Sequence, residues 1–152
     1  MVKKMNLKRV FNIVSVGLIV AYILFLVIGW NSFPDMIPTH FSAVGVPDEF
    51  GSKTSLLTEP AIMVGLFLLL AIVECFPQIW NIPVYVTKEN EAEIFAICTL
   101  MFGLLKIEII LICAYTGLMC IYSTLPSWPM FFMIATLLGS IGWSVFRLYK
   151  FR

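Results

Sequence analysis

Charge is scarce in this chain. Ten Lys and Arg and nine Asp and Glu make up 12% of its 152 residues, where a soluble domain needs about 25% to coat its surface. The two signs nearly cancel, leaving a formal net charge of +1, which excludes the basic surface that grips nucleic acid. Histidine occurs once, as His40, and Cys75, Cys98, Cys113 and Cys120 all lie in or beside apolar runs. One histidine is a poor basis for a zinc site, and thiols so placed imply packing as small hydrophobes rather than a disulfide framework. No HExxH, no GxSxG and no phosphate-cradling glycine loop followed by Lys occurs, so no catalytic residue is assigned, no cofactor is called for and an enzyme is not expected. What the chain has in abundance is apolar surface: 61% hydrophobic residues and a mean hydropathy of +0.97.

That surplus is arranged in runs long enough to cross a hydrocarbon core, which takes about 20 apolar residues. They fall at 10–30, 60–79, 103–122 and 128–147, and predict an all-α membrane protein with four transmembrane helices in a single domain, 1–152. Residues 31–59 form one long connection and 80–102 another. The first run is too long for a signal peptide and reads as a retained anchor. Basic residues set the orientation, because cytoplasmic flanks hold Lys and Arg in excess. Lys3, Lys4, Lys8, Arg9, Lys88, Arg147, Lys150 and Arg152 all vote for one side, against Lys53 alone in 31–59. Both termini and 80–102 are thus expected in the cytoplasm, with 31–59 outside the cell (inner) membrane. In 80–102, Asn90 is expected to cap a helix whose first turn carries Glu91 and Glu93, as suits the helix dipole. Gly103 is the expected site of a bend where this helix enters the third span.

Three ionisable residues, Glu74, Lys106 and Glu108, lie in or close to spans, where a charge at a helix centre costs about 2.5 to 3.5 kcal/mol. Glu74 comes late in an inward-running helix and Lys106 early in an outward-running one. Their similar shallow depth predicts an ion pair between the second and third helices. The other reading of the three is an ion or proton pathway through a small transporter or channel.

The 31–59 connection contains Pro34, Pro38, Pro47, Gly45 and Gly51, with Pro60 directly after it, and these forbid one continuous helix. Residues 36–42 suit a strand and 45–52 suit tight turns, with Asp48 bonding its own backbone. Gly45 and Gly51 are expected in conformations that other residues resist, while Ile37, Phe41, Val44 and Phe50 provide apolar groups to pack on the helix ends. His40 is the chemically distinctive residue, with Asp35, Asp48 and Glu49 as neighbouring carboxylates. Holding the loop's fold, contacting a ligand and metal or proton chemistry are all open to it. Lys53 is expected to pair with a carboxylate or to snorkel.

The run FPDMIPTHFSAVGVPDEFGSK, through Pro34, Pro38, His40, Gly45, Pro47, Asp48, Gly51 and Lys53, closely resembles the signature of the SdpI-like membrane family, catalogued as domain of unknown function 1648. The Asn81-x-Pro83 and Lys88-Glu89-Asn90 elements resemble its downstream features, so the likeness spans roughly the first 110 residues. The resemblance implies a multispan bacterial membrane protein. Its namesake confers immunity to a secreted peptide toxin and relays the toxin's presence to a membrane-held repressor. The Gly-x-Arg and Trp-Thr block of that member is not found here. The expected partners are the lipid bilayer, an exported peptide or toxin bound through Asp35, His40, Asp48, Glu49 and Lys53, and a cytoplasmic regulator. Transport through Glu74, Lys106 and Glu108, and a metal-dependent membrane enzyme centred on His40, are the alternatives.

Overall fold

A computed structural model describes residues 7–42 and 44–152. Its elements run α1 (Leu7–Gly29), β1 (Met36–Phe41), β2 (Pro47–Ser52), α2 (Thr58–Val73), α3 (Glu91–Ile121) and α4 (Trp128–Tyr149), with short 3-10 turns at Trp30–Ser32, Lys53–Leu57 and Pro77–Ile79. Among the described residues, four stretches are long and apolar enough to cross a membrane: Leu7–Ser32, Lys53–Val73, Glu91–Ile121 and Trp128–Tyr149. Their outward faces carry large apolar side chains, among them Val27, Ile28, Leu69, Phe132 and Phe146. Only lipid covers such surface on this scale, and the chain is a multi-pass membrane protein.

α3 is the central element, packing against α1, α2 and α4 and receiving β1 on its last turns. Two glycines let α1 approach it closely. A Cβ on Gly103 would meet the ring of Phe11, and one on Gly117 would meet the hydroxyl of Tyr22. α3 runs unbroken through Gly103 for 31 residues, and the space left by the glycine's missing side chain is filled by the Phe11 ring. The start of α3 is packed as well. Ile94, Ile97 and Cys98 are buried with Leu148 of α4 under Trp80, Phe95 and Phe102. The Trp80 ring meets Phe95 edge-on at 5.6 Å, a favoured aromatic geometry.

The second helix stops at Val73 instead of continuing to residue 79. Pro77 cannot extend it, the preceding Phe76 lies outside the helical region at φ −122° and ψ 71°, and the Trp80 indole N–H donates to the Val73 carbonyl at 2.8 Å. The same carbonyl also accepts the Phe76 N–H at 3.1 Å, so the indole ties Trp80 to a helix end that is already closed by a turn. Asn90 does not cap α3 through its side chain. Its Oδ1 accepts from the Thr87 N–H at 2.7 Å and its Nδ2 donates to the Tyr85 carbonyl at 3.0 Å, so it closes the preceding turn. α4 begins with Pro129 in its first turn, where the missing N–H costs nothing.

The connection from α1 to α2 departs from the all-α expectation. β1 and β2 form a two-stranded antiparallel sheet with Met36 opposite Ser52, Ile37 opposite Gly51 and Pro38 opposite Phe50. The segment read as turns is thus mostly a strand. Pro47 stands at its first position, where a strand tolerates proline, and Phe41 opposite Pro47 closes the ladder after an irregularity around His40. Ile37 is buried in the core with Leu56, Phe33 and Leu26, and Phe41 packs on its margin. Val44 and Phe50 remain exposed, contrary to expectation.

Candidate functional site

The hairpin is fastened at both ends. At its base the Lys53 Nζ lies 2.8 Å from Asp35 Oδ1 and stands 5.7 Å from the centre of the Trp30 ring, while the Lys53 N–H donates to the Asp35 carbonyl at 2.9 Å. The hydrogen bond from Lys53, and then its charge, hold the Asp35 carboxyl below its ordinary pKa. Phe33, before Pro34, is extended at φ −79° and ψ 146°, as proline requires of its predecessor.

Near the tip, His40 Nδ1 lies 2.6 Å from Asp48 Oδ1. This bond, then the Asp48 charge, and to a smaller extent Glu49 opposite in the ladder, raise the His40 pKa from its ordinary value of 6.5. Asp48 thus bonds an imidazole across the sheet instead of its own turn. Gly45 makes the turn at φ +79°, a conformation suited to glycine, and its N–H donates to the Ser42 carbonyl at 2.8 Å. A Cβ here would also strike Ser127 at the start of α4, so the tip rests on that helix. Gly51 has no positive φ; the constraint on it is space, because a Cβ would come within 2.9 Å of Thr39 Cγ2.

The five loop residues singled out from sequence therefore form two separate groups. Asp35 and Lys53 latch the base; His40, Asp48 and Glu49 sit together near the tip. Among the described residues, no group of three or more His, Cys, Asp or Glu side chains is disposed to hold a metal ion.

Two clefts flank β1. One, of about 320 Å³, is apolar and lies between Phe41, Gly45 and the facing ends of α3 and α4, lined there by Met119, Ser127, Met130 and Phe131. The other, of about 390 Å³, lies toward α2 and is more polar, with His40, Ser55, Thr58, Glu59 and Thr116 on its walls. Behind it, the Glu59 Oε2 and Tyr22 Oη atoms are buried and have no hydrogen-bond partner among the described residues. Both crowd around Gly117: a Cβ there would contact the Tyr22 hydroxyl and lie 3.6 Å from Glu59 Cγ. Sequence reasoning passed over this pair. Glu59 sits at the edge of an apolar run, where a carboxylate attracts no notice, and Tyr22 is one aromatic among many in a span.

At the far end of the bundle, Glu74 and Lys106 meet at 2.6 Å and are almost fully buried. Lys106 also donates to Asn12 Oδ1 at 2.7 Å and faces the Phe67 ring at 5.9 Å. Lys8 approaches Glu74 Oε2 at 3.9 Å and donates to the Glu74 carbonyl at 3.3 Å. Glu108 stands apart, accepting from Ser140 of α4 at 2.8 Å, because residues two apart on a helix face different neighbours.

A family profile described as Domain of unknown function (DUF1648) matches residues 17–64, from the middle of α1 through the hairpin into α2. An uncharacterized protein of Archaeoglobus fulgidus is 32% identical over 82 residues, covering 49% of this chain and 43% of that protein. The match thus spans less than half of the relative's length. No solved structure matches. The profile match includes Tyr22, the whole hairpin and Glu59, and stops short of Glu74 and Lys106.

Proposed function

We propose that the protein is an SdpI-like receptor of the bacterial inner membrane whose hairpin and adjoining helix ends bind an exported amphipathic peptide, for immunity or for signalling. The observation that carries this reading is the hairpin's make-up. It is clamped at its base by Lys53 and Asp35 and seated on α4 by Gly45, yet it leaves Met36, Val44, Val46 and Phe50 exposed. Apolar side chains held on a rigid, solvent-facing element favour recognition of an apolar partner. The apolar cleft beside Met119 and Phe131 continues that surface toward the bilayer.

On this reading both termini are cytoplasmic. Lys8, Arg9, Arg147 and Lys150 gather at the end opposite the hairpin, as the positive-inside rule asks. A message would pass inward along α3 to its first turns, to be read by a cytoplasmic regulator. Transport through Glu74, Lys106 and Glu108 has less support, because the first two are tied to each other and to Asn12 while Glu108 bonds α4.

The test is binding of a fluorescent, lysine-containing amphipathic peptide to the protein in nanodiscs, followed by anisotropy. Saturable binding that weakens at least about tenfold in a Val46→Ser/Phe50→Ser variant supports the receptor; affinity unchanged by that variant removes it. A cysteine placed at Ser42 should react with an impermeant reagent in intact cells, and labelling only after lysis would reverse the orientation.

A further inference from the structure

We infer that the polar cleft between β1 and α2 is a binding site for a primary ammonium group, the side chain of a peptide lysine, with Glu59 as its counter-ion and Tyr22 beside it. This deepens the receptor reading and rests on it for the source of the amine.

The argument begins with unmet hydrogen bonds. Leaving a buried polar atom unpaired costs about 1–3 kcal/mol, more for a charged one. Here two such atoms lie in one place: Tyr22, only 6% exposed, and the Glu59 Oε2 have no partner among the described residues. No ion pair to Glu59 is formed among them either, although Lys53, Lys8 and Lys106 each find a carboxylate elsewhere.

The donors and acceptors then specify the ligand. An ionised Glu59 only accepts. Thr116 has already given its proton to the Ile112 carbonyl at 3.0 Å, so toward the cleft it too can only accept. The Ser55 and Thr58 hydroxyls on the opposite wall can do the same. Several acceptors around one anion call for a compact cation with several donors, and an ammonium has three. A divalent metal would need more carboxylates than this cleft contains.

His40 is the titratable group facing the site from β1. Its bond to Asp48 makes that pair neutral when the ring is protonated and negative when it is not, so in neither state does the pair repel a cation. Cys120 comes from α3, and Ile37 and Phe41 give the cleft an apolar floor suited to a lysine's methylenes.

The experiment uses the full chain in phosphatidylcholine nanodiscs, whose lipid carries no primary amine, at pH 7, with empty nanodiscs as the reference. n-Hexylamine and its neutral counterpart n-hexanol are titrated by calorimetry. The amine should bind saturably, and at least about tenfold more tightly than the alcohol. Glu59→Gln should weaken the amine about tenfold or more and Tyr22→Phe about threefold, with the alcohol unaffected. Equal affinities for amine and alcohol overturn the site without recourse to any variant, as does an amine affinity unchanged by Glu59→Gln. Replacing a third of the lipid by phosphatidylethanolamine should leave amine binding unchanged; a competitive loss of tenfold would assign the site to a lipid headgroup and overturn the peptide source. Hexylamine bound through Glu59, together with peptide affinity indifferent to the Val46→Ser/Phe50→Ser variant, would keep the amine site and remove the hairpin receptor, so the two failures are distinguishable.

Discussion

The bundle carries a charged cluster near each end, and the two are built on opposite terms. At the far end Glu74, Lys106 and Asn12 complete one another at 2.6 and 2.7 Å, with Lys8 adding a second positive charge. At the hairpin end the Tyr22 hydroxyl and the Glu59 Oε2 are likewise buried, but neither atom has a hydrogen-bond partner among the described residues. Between the two clusters lie Ile19, Met63 and Ile110, all buried and apolar, and the separation along α2 from Glu59 to Glu74 is about 22 Å. A closed network holds helices in place. An open one beside a cleft is a place where something else can bind, and the difference between them separates scaffold from site.

The largest way to test the contrast is to break the closed cluster. Lys106→Met leaves Glu74 buried beside a much weaker neighbour and should cost about 3–5 kcal/mol of stability, measured by denaturant unfolding in detergent micelles. Adding Glu74→Leu should recover most of that loss, because the stranded charge is then gone. Next comes the packing behind the open cluster: Gly117→Ala pushes a methyl group into the Tyr22 hydroxyl and should cost about 1–3 kcal/mol, read as a lowered Tm. Glu59→Gln should do the reverse of Lys106→Met. Because the Glu59 Oε2 has no hydrogen-bond partner among the described residues, the variant should keep or raise the Tm of the ligand-free protein, and a fall as large as that of Lys106→Met would place Glu59 in the scaffold.

The smallest effect belongs to the exposed pair at the tip. Because Asp48 raises the His40 pKa, the stabilisation is fully present below about pH 6.5 and disappears as pH rises through the higher folded value. The Tm difference between wild type and Asp48→Asn should therefore shrink from pH 6 to pH 9. A difference that grows over that range would show that the bond does not favour the protonated ring.

Much of the scaffold was legible in the chain, for stated reasons. The four apolar runs gave the spans, since bilayer thickness leaves little freedom, and equal depth brought Glu74 to Lys106. The hairpin was half legible. β1 followed from its residues, but β2 contains Pro47, Asp48 and Gly51, which read locally as turns, and only pairing with β1 makes them a strand. The end of α2 was overrun although Pro77 marked it, because the hydrophobic run continues past the break. Gly103 and Gly117 look alike in sequence to bend-forming glycines; their meaning lies in Phe11 and Tyr22, which come from α1. The open cluster was hidden for the same reason: its members, Tyr22 and Glu59, belong to two different helices that meet a third.

Gly45 abuts Ser127, while Lys53 faces the Trp30 ring at the end of α1. The hairpin is thus a span laid between two piers, the first helix and the last, over the mouth of the bundle. Any swing of α4 relative to α1 must shift one pier, and anything wedged beneath the span presses on both.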